Sequence, residues 1–337
     1  MKKLLTTIPL FAASLVFSAD YTAGGSFLDT AFQDIVNNYD SVSTKPITLQ
    51  YSSHEKKVAT FSKDFTFNST IYLDSRKEYG NGSAVVLYSE NGSKLTFNCN
   101  AAKPASSLSG VKFGLMGTTS KHIEAVFTQN FTQEIWLKYA NITFKSADGV
   151  ALKASSYIHL NYNCVITADN TDLTIGTAYT RYKSDVQSDG RSYVATFVAK
   201  NADIVINNFL VNGSNATAGS FMKIVYGTDN AEAFKVIGAF SALTDTTDPQ
   251  NFILEDMGIN DTFSSKYDLC SDTYKDRIFV EYQNKEYHLY ELVENDIIKT
   301  STADGFYTYT MTIPEPSTYA MIFGTLALGF ALYRKRK

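Results

Sequence analysis

The feature that most constrains the fold of this chain is a weak internal repeat with an offset of about 65 residues. Residues 59–66 (ATFSKDFT) resemble residues 125–132 (AVFTQNFT), and residues 94–99 (KLTFNC) resemble residues 159–164 (HLNYNC). A third copy begins at residues 194–197, where the letters VATF occur for the second time. Because repeated units stack on one another and share a core, the pattern predicts a repeat architecture.

Apolar and polar residues alternate within each copy, which indicates short β-strands. One face of such a strand is expected to carry Ile158, Leu160, Tyr162, Cys164 and Ile166, and the other face His159, Asn161 and Asn163. Turns are predicted where a glycine follows Asn81, Asn91, Asp148 and Asn212.

The repeat length and the turns together define the predicted fold. A unit of about 65 residues is too long for one coil but holds about three coils of ~22 residues. We therefore predict an all-β chain folded as a parallel β-helix or a similar solenoid. Turns of this type also connect antiparallel hairpins, so a β-sandwich is the alternative.

The segments at the two ends of the repeat are expected to cover its open edges. Apolar residues at helical spacing, preceded by a capping box, predict a short helix over residues 26–39. Near the other end, residues 278–290 are predicted as a hairpin and residues 306–312 as a last strand. The predicted parts in chain order are an N-terminal cap at residues 19–45, the repeat-built solenoid at residues 46–249 and a closing β region at residues 250–312.

The three cysteines do not form a disulfide framework. If Cys99 and Cys164 held equivalent places three coils apart, they would lie about 14 Å from each other along the stack. A disulfide needs Cα atoms within about 7 Å. We therefore predict that Cys99 and Cys164 are not bridged, and that both they and Cys270 are small thiols that fill space.

The N-terminus has the composition of a secretory signal peptide. Lys2 and Lys3 form a basic start, and residues 4–17 are almost entirely apolar. Cleavage is expected after Ser18 or Ala19. Residues 1–18 are therefore predicted to direct export.

Residues 313–337 combine a Pro-Glu-Pro motif, a short apolar segment and a basic end. Pro314, Glu315 and Pro316 precede an apolar run at residues 319–333. As a helix this run spans roughly 23 Å, which is short for a bilayer and requires thinning or snorkelling at its ends. We predict a C-terminal transmembrane helix, with a basic flank that stays on the cytoplasmic side and consists of Arg334, Lys335, Arg336 and Lys337.

This tail resembles the PEP-CTERM sorting signal of exported bacterial proteins. Besides the Pro-Glu-Pro motif, the resemblance includes Ser317, Thr318 and the two glycines of the apolar segment, Gly324 and Gly329. It implies that an exosortase-type enzyme recognises the motif and processes the tail. It also implies a location in the cell envelope or at the cell surface, with a membrane anchor at least before processing. The resemblance concerns the tail alone and implies nothing about the body.

Without the leader and the basic end, the body of the protein is strongly acidic. Those two segments hold six of the 30 Lys and Arg residues and none of the 34 Asp and Glu residues. The remainder therefore carries a net charge of about −10. Since nucleic-acid binding depends on a basic surface, we expect no nucleic-acid partner.

The sequence contains no recognised nucleophile, phosphate-binding or zinc-binding motif. We therefore assign no catalytic residue, no metal site and no cofactor. The best candidate for acid–base chemistry is a polar cluster, for which a solvated loop of mixed charge is the favoured interpretation. This cluster consists of Arg181, Lys183, Asp185, Asp189 and Arg191.

Four aspartates and one tryptophan are open to two interpretations each. Calcium binding and turn formation compete for Asp169, Asp172, Asp245 and Asp248, and turn formation is favoured because their spacing fits no known calcium loop. Trp136 could stack on a sugar ring or fill the core, and its neighbours do not decide which.

Together these features favour a non-enzymatic β-solenoid at the cell surface or in the extracellular matrix. Its expected role is structural or adhesive, with exopolysaccharide as a further partner. The alternatives are a polysaccharide lyase or hydrolase on a β-helix, and a sugar-binding β-sandwich.

Overall fold

The fold is a parallel β-solenoid of about 6 turns, with 51% strand and 6% helix. The structure is a computed structural model. It describes residues 21–23, 42–43, 47–51, 57–68, 71–75, 84–102, 112–154, 157–211, 217–227 and 230–312. The predicted all-β solenoid is therefore confirmed, and the alternative of a β-sandwich is wrong because the strands stack in parallel rather than as antiparallel hairpins.

Short strands alternate with tight corners throughout the described part of the chain. The strands are β1 (Tyr21–Ala23), β2 (Val42–Ser43), β3 (Ile47–Tyr51), β4 (Lys57–Thr60), β5 (Phe65–Phe67), β6 (Ile71–Ser75), β7 (Ala84–Tyr88), β8 (Lys94–Phe97), β9 (Ala101–Ala102), β10 (Lys112–Met116), β11 (Ile123–Phe127), β12 (Ile135–Lys138), β13 (Ala140–Phe144), β14 (Leu152–Ala154), β15 (Ile158–Asn161), β16 (Cys164–Asp169), β17 (Leu173–Tyr182), β18 (Tyr193–Lys200), β19 (Ile204–Val211), β20 (Phe221–Tyr226), β21 (Ala233–Val236), β22 (Asn251–Glu255), β23 (Thr262–Ser265), β24 (Ile278–Tyr282), β25 (Lys285–His288), β26 (Ile298–Ala303) and β27 (Phe306–Met311). The helices are α1 (Ser241–Thr244) and α2 (Leu289–Glu294), with a 3₁₀ turn at Lys275–Arg277.

Three sheets form the sides of the solenoid. Sheet 1 has the order β1-β3-β6-β9, and sheet 2 has the order β2-β5-β8-β11-β13-β16-β18-β20-β22-β24-β25. Sheet 3 has the order β26-β27-β23-β21-β19-β17-β15-β12-β10-β7-β4, with β14 paired to β17. All described pairs are parallel except β23–β27, β24–β25 and β26–β27 at the C-terminal end. The chain therefore winds through the sheets in turn and is closed by antiparallel strands.

The strand register shows that the coils differ widely in length. In sheet 2, Leu95 pairs with Ala125, Ala125 with Ile142, Ile142 with Ile166, and Ile166 with Phe197. Successive coils thus take 30, 17, 24 and 31 residues. The predicted uniform coil of about 22 residues is wrong, because both the strands and the corner loops that connect them differ in length from coil to coil.

The predicted register of the repeat is also wrong. Leu95 lies in β8 of sheet 2, whereas Leu160, its predicted equivalent, lies in β15 of sheet 3. Cys164 opens β16, whereas Cys99 follows the end of β8. Similar alternating segments occur on every side of the solenoid, so sequence similarity alone does not identify equivalent coils. The prediction that the cysteines are unbridged is nevertheless confirmed, since no disulfide joins Cys99, Cys164 and Cys270, which all lie in the described part of the chain.

The strand predicted through residues 158–166 is interrupted by a corner. Tyr162 and Asn163 both have a φ of 56°, in the left-handed region, and they separate β15 from β16. Tyr162 therefore does not share the buried face, and Asn161 is buried instead, with its Nδ2 donating to the Leu137 carbonyl at 2.9 Å. The two consecutive left-handed residues interrupt the strand, and the alternation resumes in β16 with Cys164 and Ile166 buried.

The closing β region agrees with its prediction in most respects. β24 and β25 form the expected hairpin, whose two turn residues, Gln283 and Asn284, both have a φ of 56°. β27 is the expected last strand. Leu289 and Tyr290, predicted to extend the hairpin, instead begin α2, which buries Leu289 over the end of the solenoid.

Three predicted segments lie outside the described residues: the leader at residues 1–18, the helix at residues 26–39 and the tail at residues 313–337, and they stay predictions. Of the helices in the described part of the chain, none is long and apolar enough to cross a membrane.

Stacked phenylalanines form the centre of the core beneath sheet 2. The rings of Phe67, Phe97, Phe127 and Phe144 follow one another from coil to coil, with centroid separations of 4.9, 4.7 and 5.1 Å and nearly parallel planes. All four side chains are at most 1% exposed. Because each coil contributes one ring, the ladder couples the stability of neighbouring coils.

Two aspartates fix the corners of the C-terminal coils, Asp203, which is half-buried, and Asp261, which is buried. Oδ1 of Asp203 accepts from the Ala233 amide at 2.8 Å, and Oδ1 of Asp261 accepts from the Glu232 amide at 2.7 Å. The second oxygen of Asp261 accepts from the Gly258 amide at 2.6 Å. Burial nevertheless raises the pKa of Asp261 to about 6, with a further contribution from Glu232.

This pKa predicts a specific pH dependence of stability. An aspartate in the unfolded chain has a pKa of about 3.9, so between about pH 4 and pH 6 folded Asp261 holds a proton that the unfolded chain has released. Its contribution to the free energy of unfolding is therefore full below pH 4 and is lost as the pH rises to 6, on the order of 3 kcal/mol. Urea denaturation of wild type and Asp261→Asn between pH 4 and pH 7 measures this. We expect the free energy of unfolding of the wild type minus that of Asp261→Asn to fall as the pH rises across that range.

The control is Asp272→Asn, since Asp272 is fully exposed and the Lys275 side chain lowers its pKa. The free energy of unfolding of the wild type minus that of Asp272→Asn is not expected to fall between pH 4 and pH 6. A pH-independent difference for Asp261→Asn would contradict the prediction.

Candidate functional site

An outward-facing row of rings crosses three coils of sheet 3. Trp136 in β12 pairs with His159 in β15, which pairs with Tyr179 in β17. Their flanking residues, such as Ile135 and Leu137, are fully buried, so the alternation of the strands directs the three rings outward. The ring centroids are 4.8 Å apart for Trp136 and His159 and 5.4 Å apart for His159 and Tyr179.

A second row lies at the corner between sheets 3 and 2. The rings of Tyr139, Tyr162 and Tyr182 follow one another with centroid separations of 5.4 and 5.6 Å. Tyr139 and Tyr162 have φ values of 51° and 56°, a backbone conformation that bulky residues rarely adopt. Such strain persists only where the surroundings fix it, and here it places the two tyrosines in line.

Tyr157 extends the first row at its edge. Its side chain is 45% exposed, and its ring centroid lies 6.4 Å from that of His159. We call the outward surface formed by these rings the aromatic face; it consists of Trp136, Tyr139, Tyr157, His159, Tyr162, Tyr179 and Tyr182.

Two cations lie over the rings of the aromatic face. Lys138 Nζ is 4.8 Å from the Tyr162 ring centroid and 5.7 Å from that of Tyr139. Arg181 Cζ is 5.2 Å from the ring centroids of both Trp136 and Tyr182. At these distances the ring quadrupoles attract the cations, so the charges are positioned rather than free to swing into solvent.

A β-bulge explains how Arg181 reaches this position. Leu160 pairs with Thr180 but Asn161 pairs with Tyr182, so Arg181 is the extra residue of β17. A bulge redirects the side chain of the extra residue. As a result, the guanidinium joins the row that contains Trp136 to the row that contains Tyr182.

One carboxylate orients two of the rings. Oε1 of Glu134 accepts from Trp136 Nε1 at 3.0 Å and lies 2.6 Å from His159 Nε2. His159 is largely buried, and its Nδ1 atom has no hydrogen-bond partner among the described residues. Glu134 thus fixes the orientation of the indole and of the imidazole, while Nδ1 of His159 makes no hydrogen bond to the described residues.

The predicted polar cluster does not form a single site. Arg181 belongs to the aromatic face, whereas Lys183 Nζ donates to the Ala218 carbonyl at 3.4 Å. Arg191 pairs with Glu286 at 2.6 Å. Asp189 accepts from the Tyr193 hydroxyl, which lowers the pKa of that carboxyl. The backbone carbonyl of Asp185 accepts from the Ser184 hydroxyl at 3.0 Å within the same loop. The cluster mainly anchors the loop between β17 and β18.

The candidate calcium ligands do not converge either. Asp169 forms an ion pair with Lys145 at 2.7 Å, and Asp172 accepts from a backbone amide at 2.9 Å. Asp245 accepts from two backbone amides at 2.7 and 2.8 Å, as expected for a turn, and Asp248 is buried with neither carboxylate oxygen hydrogen-bonded. Among the described residues, no group of three or more His, Cys, Asp and Glu side chains could hold a metal ion.

The tail residues lie outside the described part of the chain: Pro314, Glu315, Pro316, Arg334, Lys335, Arg336 and Lys337. Comparison of the chain with protein-family models, curated proteins and solved structures found no match.

Proposed function

We propose that this protein is exported and presented at the cell surface or in the extracellular matrix as a non-enzymatic, structural or adhesive β-solenoid. One observation carries the proposal. β27 ends at Met311, only three residues before Pro314, and it lies hydrogen-bonded between β26 and β23. A tail that follows a closing strand so directly would hold the stack at one end and leave its coils free to present their surfaces.

The closing strand is held firmly enough to serve as such an attachment. Thr312 donates through its hydroxyl to the Ile297 carbonyl at 3.0 Å, and Tyr309 is fully buried, with its hydroxyl 3.0 Å from an Asp268 oxygen. Desolvation raises the pKa of Tyr309, so its hydroxyl stays protonated. The last described residues are therefore part of the folded body.

The alternative is an enzyme that acts on polysaccharides, and one observation favours it. Glu134 and His159 form a carboxylate–imidazole pair beside exposed rings, and such pairs can transfer protons. A glycoside hydrolase, however, usually needs two carboxyl groups about 5–10 Å apart. Glu134 is already engaged by Trp136 and His159, which suits an orienting role better than catalysis.

The test of export and display uses the tail. Cells producing the full chain with Pro314, Glu315 and Pro316 all replaced by alanine are fractionated beside cells producing the wild type. We expect wild type in the surface fraction, with its tail processed, and the variant retained unprocessed in the membrane fraction. The control replaces Lys299, Thr300 and Ser301, which are exposed on β26, with alanine. Unchanged processing and location of the tail variant would contradict the proposal.

A further inference from the structure

We propose that the aromatic face is a binding site for an acidic polysaccharide chain, of the class that contains uronic acids. This inference rests on the proposed function, because a surface-displayed solenoid would meet such chains. It also adds a ligand class and a set of residues that the proposed function does not contain.

The geometry of the rings suits an extended chain of sugars. Trp136, His159 and Tyr179 occupy three successive coils, which are spaced by about 4.8 Å in a parallel sheet. Tyr139 and Tyr162 run parallel to that row, three residues further along their coils. The rings of the two rows are partly exposed, and aromatic side chains offer both an apolar face and polar edges.

The charges of the site favour an acidic sugar over a neutral one. Lys138 and Arg181 are each held over two rings, so a carboxylate on a sugar that stacks on those rings would lie close to a cation. Lys138 has no carboxylate partner within the described part of the chain. The body as a whole carries a net charge of about −10. The two positioned cations therefore mark a place where an anion can approach.

Polar groups that could receive sugar hydroxyls lie beside the rings. The carboxylate of Glu134 lies beside Trp136 and is about one quarter exposed, so part of it can be reached from solvent. The β-bulge at Arg181 points to the same conclusion, because bulges commonly redirect a side chain next to a binding site.

Other partners fit this face less well. Single-stranded nucleic acid also stacks on aromatic rings, but it needs a basic groove that follows the phosphates, and this body is acidic. Lysine is depleted from protein interfaces, whereas here Lys138 lies among the rings.

Affinity electrophoresis of the full-length protein in a mild detergent tests the inference. The gels contain polygalacturonate, alginate, dextran as a neutral polysaccharide, or single-stranded poly-dT. We expect retardation by at least one of the two acidic polysaccharides and none by dextran or poly-dT. The retardation should weaken in about 0.5 M NaCl, because ion pairs at a surface are screened.

Three variants locate the site. We expect at least tenfold weaker binding for Trp136→Ala and for the double variant Lys138→Gln with Arg181→Gln, and a loss of several-fold for Tyr157→Ala. The double variant keeps every ring and Tyr157 is largely exposed, so these two remain informative if the tryptophan variant fails to fold.

The matched control is Phe306→Ala. Phe306 also carries a cation over its ring, Lys235 Nζ at 4.0 Å, but it lies in β27 at the closed end of the solenoid. We expect the Phe306→Ala variant to bind acidic polysaccharide as strongly as the wild type. Equal losses for Phe306→Ala and Trp136→Ala, equal binding of dextran or poly-dT, or no binding of either acidic polysaccharide would each overturn the inference.

The test of polysaccharide binding and the test of surface display can fail independently of each other. A protein that is exported and processed but binds neither acidic polysaccharide refutes the site alone. A protein that binds in the gel but is not exported refutes the proposed display alone.

Discussion

Replacing Phe127 with alanine is expected to lower the free energy of unfolding by about 3–5 kcal/mol, the usual cost of removing a fully buried phenylalanine. Phe127 is fully buried, and its ring stacks on both neighbours in the ladder, Phe97 at 4.7 Å and Phe144 at 5.1 Å. Phe131 also contacts it at 4.7 Å. The cavity would interrupt the ladder in the middle of the stack, where both sides depend on it. Urea denaturation followed by circular dichroism measures the change.

The matched control for this variant is Val126→Ala on the same strand. Val126 is adjacent in β11 but faces outward, so its replacement is expected to change the free energy of unfolding by at most about 0.5 kcal/mol. If the two variants were destabilised equally, the ladder would not be the centre of the core.

Replacing Gly117 with alanine is expected to destabilise the protein by about 3 kcal/mol, at the upper end of the usual cost of overpacking. A Cβ at Gly117 would lie 2.5 Å from the Ile123 amide nitrogen, 2.6 Å from the Tyr139 carbonyl oxygen and 2.7 Å from the Lys121 carbonyl oxygen. All three atoms belong to the backbone, so no side chain can move aside. Gly117 lies at the corner between β10 and β11, and its amide donates to the Lys138 carbonyl at 2.9 Å. Relief of the overlap would therefore disturb the pairing of two coils.

Gly190→Ala separates overlap from backbone conformation. Gly190 has a φ of 78°, and no atom lies within 4 Å of the position that a Cβ would take. Gly190→Ala is therefore expected to lower the free energy of unfolding only by the cost of placing alanine in the left-handed conformation, about 1–2 kcal/mol. Thermal and urea denaturation should rank Gly117→Ala as clearly less stable than Gly190→Ala. The reverse order would show that the corner at Gly117 adapts.

The fold class could be predicted from the sequence because local alternation is enough to indicate it. The hairpin of β24 and β25 was also predictable, since Gln283 and Asn284 interrupt two alternating segments. The coil register was not predictable, because coils of 17 to 31 residues place similar segments on different sheets. The corner at Tyr139 carries no glycine or proline to mark it, whereas at Tyr162 the following Asn163 is a turn-favouring residue that the alternating pattern obscured.

The aromatic face was predictable only in part. Ile135 and Leu137 flank Trp136, and their alternation could have indicated that the indole faces outward. The position of Arg181 over Trp136 depends on a bulge and on a coil two positions away in the stack, neither of which a sequence pattern reveals. The grouping of Arg181 with Asp189 and Arg191 followed their closeness in sequence, but the chain carries the latter two around the corner to β18.

The central claim is that the solenoid is displayed outside the cell, and labelling of intact cells with a membrane-impermeant amine reagent tests it most directly. The exposed lysines Lys94, Lys285 and Lys299 report on three regions of the body, and a cytoplasmic protein serves as the control for leakage. Mass spectrometry of the labelled peptides should find these three lysines modified in intact cells while the cytoplasmic protein stays unmodified. Modification of the three lysines only after the cells are broken open would contradict the account.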